Sequence, residues 1–192
     1  MHSKYHFELQ SHMSQTRFHH SLRVQAVAIE LANGHNLPLQ TVSLAGLLHD
    51  MAKQHTPQSL TAQGLDVAMW DDCWTRFPAV WHAFVGPALI HHVFLDVPTS
   101  IDAIVMCHTT GQAHMTPAEM VVFIADFIEP ERDHSCREAI EKRAYQSLES
   151  AVAHIAYHTI TTLNALGREI HPHTQACWEC YASYYDGAMS ES

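Results

Sequence analysis

The chain has 192 residues, of which 47% are hydrophobic, 9% aromatic and 16% charged, a globular composition that excludes a disordered or collagen-like chain. Its formal charge of −10 argues against a polyanionic partner such as duplex DNA or an anionic membrane face. The anomaly is 18 His against 10 Lys and Arg, and imidazole is the commonest protein ligand for transition metals, so composition alone points to metal.

Helical signals follow one another along the chain. From Arg17 to about Gly34, Leu22, Val24, Val27, Ala28 and Leu31 fall near helical spacing, with Gly34 as the stop. A second helix is expected from about Leu39 to Lys53, with Val42, Leu44, Leu47, Leu48 and Met51 on its apolar side. Thr56-Pro57 reads as an N-cap followed by Pro at the first helical position. Ser100 to His108 predicts another helix, closed near Gly111, and Thr116-Pro117-Ala118-Glu119 opens the apolar run Met120 to Ile128 as a capping box. Arg137 to Leu166 repeats Ile140, Ala144, Leu148, Ala151, Ile155 and Thr159 at helical intervals, as one long amphipathic helix. No hairpin signal or alternating run argues for a sheet, so the expectation is an all-α fold with one domain over residues 1–192.

The cysteines and termini are less informative. Five Cys with no framework spacing read as reduced, core-filling thiols of a cytoplasmic protein. Cys177 and Cys180 form a lone CxxC without the second pair that a structural zinc site wants. No run approaches the roughly 18 apolar residues of a membrane span, and no secretory signal is expected.

Polar residues that interrupt apolar helix faces carry the chemistry. His49-Asp50 sits inside Ala45 to Lys53, where an unpaired carboxylate would cost several kcal/mol. Asp126 stands alone among Phe123, Ile124, Phe127 and Ile128, with Arg132 the cation able to reach it through the following loop. His19 or His20, His82 in Trp81-His82-Ala83-Phe84, and His108 in Val105-Met106-Cys107-His108 interrupt three further segments. Helix bundles build metal sites from inward-facing His and carboxylates on different helices, and this set is large enough for two metals with open positions. By contrast, His2, His6, His12, His35, His134, His154 and His158 are expected at solvent or helix margins, and His91, His92, His171 and His173 on loops or surface. The aromatic tail with Trp178, Tyr181, Tyr184 and Tyr185 is expected to pack on the core.

The ordered pattern His20, His49-Asp50, Asp126 resembles the HD-domain metal-dependent phosphohydrolases. Within them the chain is similar to the YqeK-like family, the bacterial symmetrical bis(5′-nucleosyl)-tetraphosphatases. The match is carried by RFHHSLRV (17–24), AGLLHDMAK (45–53), WHAFVGP (81–87), CHTTG (107–111) and MVVFIADFIEPER (120–132), with IHPHT (170–174) in the tail. The resemblance implies an HD-domain helical bundle whose motif-bearing core spans about 17–132. A long C-terminal helix (about 137–166) and the aromatic tail would pack on that core, which would hold a dinuclear metal site. It assigns His20, His49, Asp50, His82, His108 and Asp126 as metal ligands, and Asp50 and Lys53 as catalytic. Arg17, Lys53, Thr109 and Arg132 become phosphate contacts, and iron the expected metal, with Mn, Co, Ni or Zn as alternatives. The implied activity is hydrolysis of diadenosine tetraphosphate to ADP by water that two metals bind and acidify. An HD nucleotidase acting on other nucleotides and a non-catalytic nucleotide or metal sensor remain the rival readings. The implied partner is a small nucleotide rather than a nucleic-acid polymer or membrane, and the chain is expected as a monomer or homodimer.

Overall fold

The computed structural model describes residues 3–133 and 135–187, so the placements expected for His2 and His134 lie outside the described residues. The described residues form α-helices joined by short 3₁₀ turns, with no strand among them. In chain order the helices are α1 (Ser3–His12), α2 (Gln15–Gly34), α3 (Leu39–Leu48), α4 (Pro57–Thr61), α5 (Asp71–Arg76) and α6 (Trp81–Val93). They continue with α7 (Asp102–Cys107), α8 (Pro117–Ile128), α9 (Arg137–Ala144), α10 (Leu148–Ala165) and α11 (Pro172–Tyr181). None of these helices is long and apolar enough to cross a membrane.

The centre is built from α2, α3, α7 and α8. Helix α2 packs on α3 and α8, α3 also meets α7 and α8, and α6 leans on α7 from outside. Val24, Ala28 and Leu31 of α2, Leu47 and Leu48 of α3 and Ile124 of α8 are fully buried. Their apolar area removed from water is the main driving force for the assembly. Gly46 lets α2 and α3 approach: a Cβ there would sit 3.2 Å from the Gln25 Cα. Helix α10 then closes the other flank of α8 and carries α9 and α11.

Caps set several boundaries where the sequence places them. Thr56 and Ser59 form a reciprocal capping box at α4, and Thr116 and Glu119 do the same at α8, each with Pro at the start of the helix. Helix α2 stops at Gly34, and Asn36 takes the left-handed conformation beyond it at φ 55°.

Three expectations need correction. The helix begun at Leu39 ends at Leu48 rather than Lys53, and residues 49–54 run on as turns, with the Met51 N–H bonded to the Leu48 carbonyl and the Lys53 N–H to the Asp50 carbonyl. The single helix expected over 137–166 is two helices. Ser147 leaves helical geometry (φ −153°, ψ 121°) and accepts a hydrogen bond from the Ser150 N–H, so an N-cap interrupts an apolar period that otherwise runs through. His154 is fully buried rather than marginal, its ring bridging the Ser150 carbonyl at 2.7 Å and Asp186 at 3.1 Å. Of the tail aromatics, Tyr181 is buried with its hydroxyl on the Met115 carbonyl, and Tyr185 stacks on Tyr157 of α10.

The Ser147 break predicts the sign of a substitution. Ser147→Ala removes the cap of α10 and should lower unfolding free energy by about 0.5–2 kcal/mol in urea titrations. In an unbroken helix the same change would be neutral or stabilising, since Ala is the best helix former.

Candidate metal centre

Two helices end at histidines. His49 directly follows the last residue of α3 and His108 the last residue of α7. The final carbonyls of a helix have no partner within it, and each ring reaches back three residues to take one. His49 Nδ1 donates to the Gly46 carbonyl at 2.8 Å, and His108 Nδ1 to the Val105 carbonyl at 2.6 Å. His20, on α2, is held similarly from outside, its Nδ1 donating to Glu129 Oε1 at 3.0 Å. With a neutral ring, a proton on Nδ1 leaves an Nε2 lone pair, and this bonding pattern assigns that tautomer to all three. His82 comes from the first turn of α6 and Asp126 from the last turn of α8.

Those Nε2 atoms converge on Asp50, which is 2% exposed. Its Oδ2 lies 3.6 Å from His20 Nε2 and 3.5 Å from His49 Nε2, while its Oδ1 lies 3.0 Å from His82 Nε2 and 3.5 Å from His108 Nε2. Asp126 Oδ1 joins the first group, 3.0 Å from His20 Nε2 and 3.8 Å from His49 Nε2. The two oxygens of one carboxylate thus face two different histidine pairs.

The electrostatics are those of a buried anionic pair. Burial alone would raise the Asp50 carboxyl, but the imidazoles packed around it, His49 foremost with His108 and His82, hold it well below the usual carboxylate range. Asp126 is likewise lowered against its burial by His20, His49 and Arg132. Burial would depress His49, yet Asp50 and Asp126 raise it, while His82 falls to about 4 and His108 also falls, chiefly through burial. Two guanidiniums already touch the pair: Arg17 Nη1 is 2.7 Å from Asp50 Oδ2, and Arg132 bonds both the carboxylate and the carbonyl of Asp126.

Metal fits this donor set. Even with both arginines in place, His20 Nε2 and His49 Nε2 are buried without a hydrogen bond, although carboxylate oxygens lie within 4 Å of each. Buried polar atoms are normally satisfied, and two lone pairs turned toward anionic oxygens lack only a cation between them. Three triads have ligand atoms within 4.8 Å of one another: His20–His49–Asp50, His49–His108–Asp126 and Asp50–His82–His108. Imidazole with carboxylate is a donor set suited to Fe, Zn, Mn and related ions.

Residues 17–131 match the family model of the HD domain. The chain belongs to the HD-domain family. It is 29% identical over 181 residues, 93% of each chain, to the symmetrical bis(5′-nucleosyl)-tetraphosphatase of Staphylococcus aureus. The enzyme of that name from Halalkalibacterium halodurans is 26% identical over 167 residues, 87% of this chain and 89% of the relative. Among solved structures, a protein of Clostridium acetobutylicum described as a predicted HD superfamily hydrolase involved in NAD metabolism superposes with a TM-score of 0.84 at 26% identity, covering 95% of this chain and 97% of that one.

All six residues chosen as ligands from sequence come together, and so do Arg17, Lys53, Thr109 and Arg132. Thr109 Oγ1 lies 2.9 Å from His108 Nε2. Lys53 Nζ lies 3.2 Å from His82 Nε2, with no carboxylate within 4 Å among the described residues. The neighbouring His19 is exposed and away from the cluster. His91 and His92, expected on a loop or surface, belong to α6, where His91 pairs with Asp102 at 2.8 Å.

Glu129 and Arg23 were not singled out from sequence. Glu129 is 2% exposed, binds His20 and takes a 2.6 Å hydrogen bond from Arg23 Nε; burial would raise its carboxyl, but Arg23, the Glu131 N–H and His20 lower it to about 2. A signal existed: an acidic residue just past a helix C-terminus opposes the macrodipole and needs a reason to be there. Outer partners of ligating histidines typically matter about 10–100-fold for metal affinity. Glu129→Gln should therefore weaken metal binding about 10–100-fold by competitive chelator titration, with far-UV circular dichroism retained. Unchanged affinity would deny Glu129 that role.

Proposed function

We propose that this HD-domain chain is a metal-dependent hydrolase that splits diadenosine tetraphosphate and related dinucleoside polyphosphates symmetrically, giving ADP. The carrying observation is the division of Asp50 between two histidine pairs, which supports a carboxylate shared by two ions. Relatives aligned over most of their length and named as symmetrical tetraphosphatases support the substrate.

In this reading His20, His49, Asp126 and Asp50 would hold one ion, His82, His108 and Asp50 would hold the other, and iron is the first candidate. Bound there, the ions supply Lewis acidity to phosphoryl oxygens and bring the pKa of water toward neutrality. The protein's part is positioning. Lys53, half-buried and without a carboxylate partner, is drawn down by burial, with Asp50 and Asp126 opposing the shift; an arriving phosphate would give its ammonium the anion it lacks. Arg17, Arg132 and the Thr109 hydroxyl border the same space and can donate to further phosphate oxygens. A water oxygen bonds to one of the two central phosphorus atoms as the bond from that phosphorus to the central bridging oxygen breaks. Each ADP leaves with one of these two oxygens, and the protons of the water pass to solvent. Phosphoryl transfer of this kind asks little covalent chemistry of side chains and much electrostatic stabilisation.

Incubation of metal-loaded protein with diadenosine tetraphosphate should give ADP as sole nucleotide product. Asp50→Ala should lower the rate about 10²–10³-fold or more, and Lys53→Ala should lower kcat/KM about 10–100-fold, the range for one hydrogen bond to a charged group. AMP with ATP would refute the symmetrical cleavage. No turnover of the dinucleotide with iron, manganese, cobalt, nickel or zinc would overturn the reading as a whole.

A further inference from the structure

Two cavities meet beside the cluster. The smaller, about 170 Å³, is lined by His108, Asp126 and Arg132 among others, and the larger, about 420 Å³, extends toward the start of α11. Thr109 and Thr159 belong to the walls of both. The larger one lies within the size range of about 300–1,000 Å³ for small-molecule sites. Its walls include Phe77, Val80 and Leu163, apolar groups from widely separated parts of the chain.

One polar group in this wall is preset. His171 caps α11, and its Nδ1 accepts the His173 N–H at 3.1 Å. Its ring packs edge-on against Phe77 at 4.7 Å and tilted against Phe84 at 5.2 Å between centroids. Burial, with His173 and Arg76 nearby, pulls its pKa down to about 4, so the ring is neutral at pH 7. With Nδ1 accepting, the single proton resides on Nε2. That N–H has no acceptor among the described residues.

We infer that the larger cavity takes one nucleobase of the substrate, between Phe77, Val80 and Leu163, with His171 Nε2–H donating to an acceptor atom of the base. Apolar walls with an aromatic edge suit a flat heterocycle, and every nucleobase carries ring-nitrogen or carbonyl acceptors. The attached phosphates would run past Thr109 into the smaller cavity and the cluster. His171 is then a specificity-determining residue that touches the base and stands apart from the chemistry. The inference rests on the nucleotide-hydrolase reading above and adds a second anchor to it.

The test is binding of ADP and of inorganic pyrophosphate, a base-free probe, to metal-loaded protein by isothermal titration calorimetry. His171→Asn keeps a side-chain oxygen to cap α11 while deleting the imidazole donor, and Val80→Trp fills the cavity. ADP should bind about five- to tenfold more weakly to His171→Asn, as for one neutral hydrogen bond and its ring contact, and about tenfold or more weakly to Val80→Trp. Pyrophosphate affinity should stay at the wild-type value in both, and thermal melts should remain cooperative. Should Val80→Trp not fold, His171→Asn alone decides. Equal ADP affinity in wild type and variants would overturn the inference, as would an equal loss for ADP and pyrophosphate. If wild type cleaves the dinucleotide while the variants keep its KM, the base pocket falls and the hydrolase reading stands. If ADP binding follows the expected pattern but nothing is cleaved, the hydrolase reading falls and the pocket stands.

Discussion

Two carboxylates in an apolar helical core are the constraint on which the rest of this structure depends. Asp50 is almost inaccessible, and Asp126 sits among the buried Phe123, Ile124 and Ile128. Isolated, each would lose several kcal/mol of solvation and would take up a proton instead. Both are held ionised because four imidazoles and two guanidiniums surround them. These partners leave the cluster unfinished, since His20 Nε2 and His49 Nε2 are buried without a hydrogen bond. The site is therefore short of positive charge in its interior, which is the condition under which a multivalent cation binds well. On the proposed reading, the same arrangement would let a chain of net charge −10 receive a polyphosphate, because the potential that matters would be that of one cleft where bound metal joins Lys53, Arg17 and Arg132.

Secondary structure and chemistry meet at helix ends. Had α3 and α7 continued one more turn, the Gly46 and Val105 carbonyls would have taken backbone N–H groups, and the rings of His49 and His108 would have been free to rotate. Stopping the helices there converts unsatisfied carbonyls into fixed acceptors and fixes the tautomer that presents Nε2 inward. Glu129 does for His20 what those carbonyls do for the other two, with Arg23 and the Glu131 N–H holding the carboxylate in turn. Rigid orientation of this kind lowers the reorganisation needed when a cation binds.

What the sequence discloses and what it hides divides along range of contact. The apolar periodicity of α2 and α8, the N-cap and Pro at Thr56-Pro57, the capping box at Thr116, and the polar residues breaking apolar faces are local patterns, and they lead to the helices and to all six clustered His and Asp. The contacts that escape such reading span great sequence distance: Glu129 meets His20 and Arg23 across more than a hundred residues, with |i−j| of 109 and 106. His154 looks like a marginal histidine because its partner Asp186 lies beyond two further elements. The break at Ser147 is local, yet a continuous apolar period masks it, since the cap interrupts backbone geometry without interrupting the buried face. Helix α11 starts with Pro172 at its first position, behind the cap His171, a local cue that the flanking histidines make look like loop.

The division of labour along the chain follows from these placements. The stretch matched by the HD-domain family, residues 17–131, contains every member of the cluster. The walls of the larger cavity are shared: Phe77 and Val80 come from inside that stretch, Leu163 and His171 from α10 and the cap of α11 beyond it. The junction between the two parts is close. Gly111 just after the His108-Thr109 pair adopts φ +62°, and a Cβ there would fall 2.7 Å from Cys177 Sγ of α11. A side chain at 111 would thus push α11 away from the loop that carries Thr109, and with it His171 away from Thr109. The glycine couples the distance between Thr109 and His171 to a single backbone position. On the proposed reading, the core would set which bond is hydrolysed, and the C-terminal helices what is attached to it.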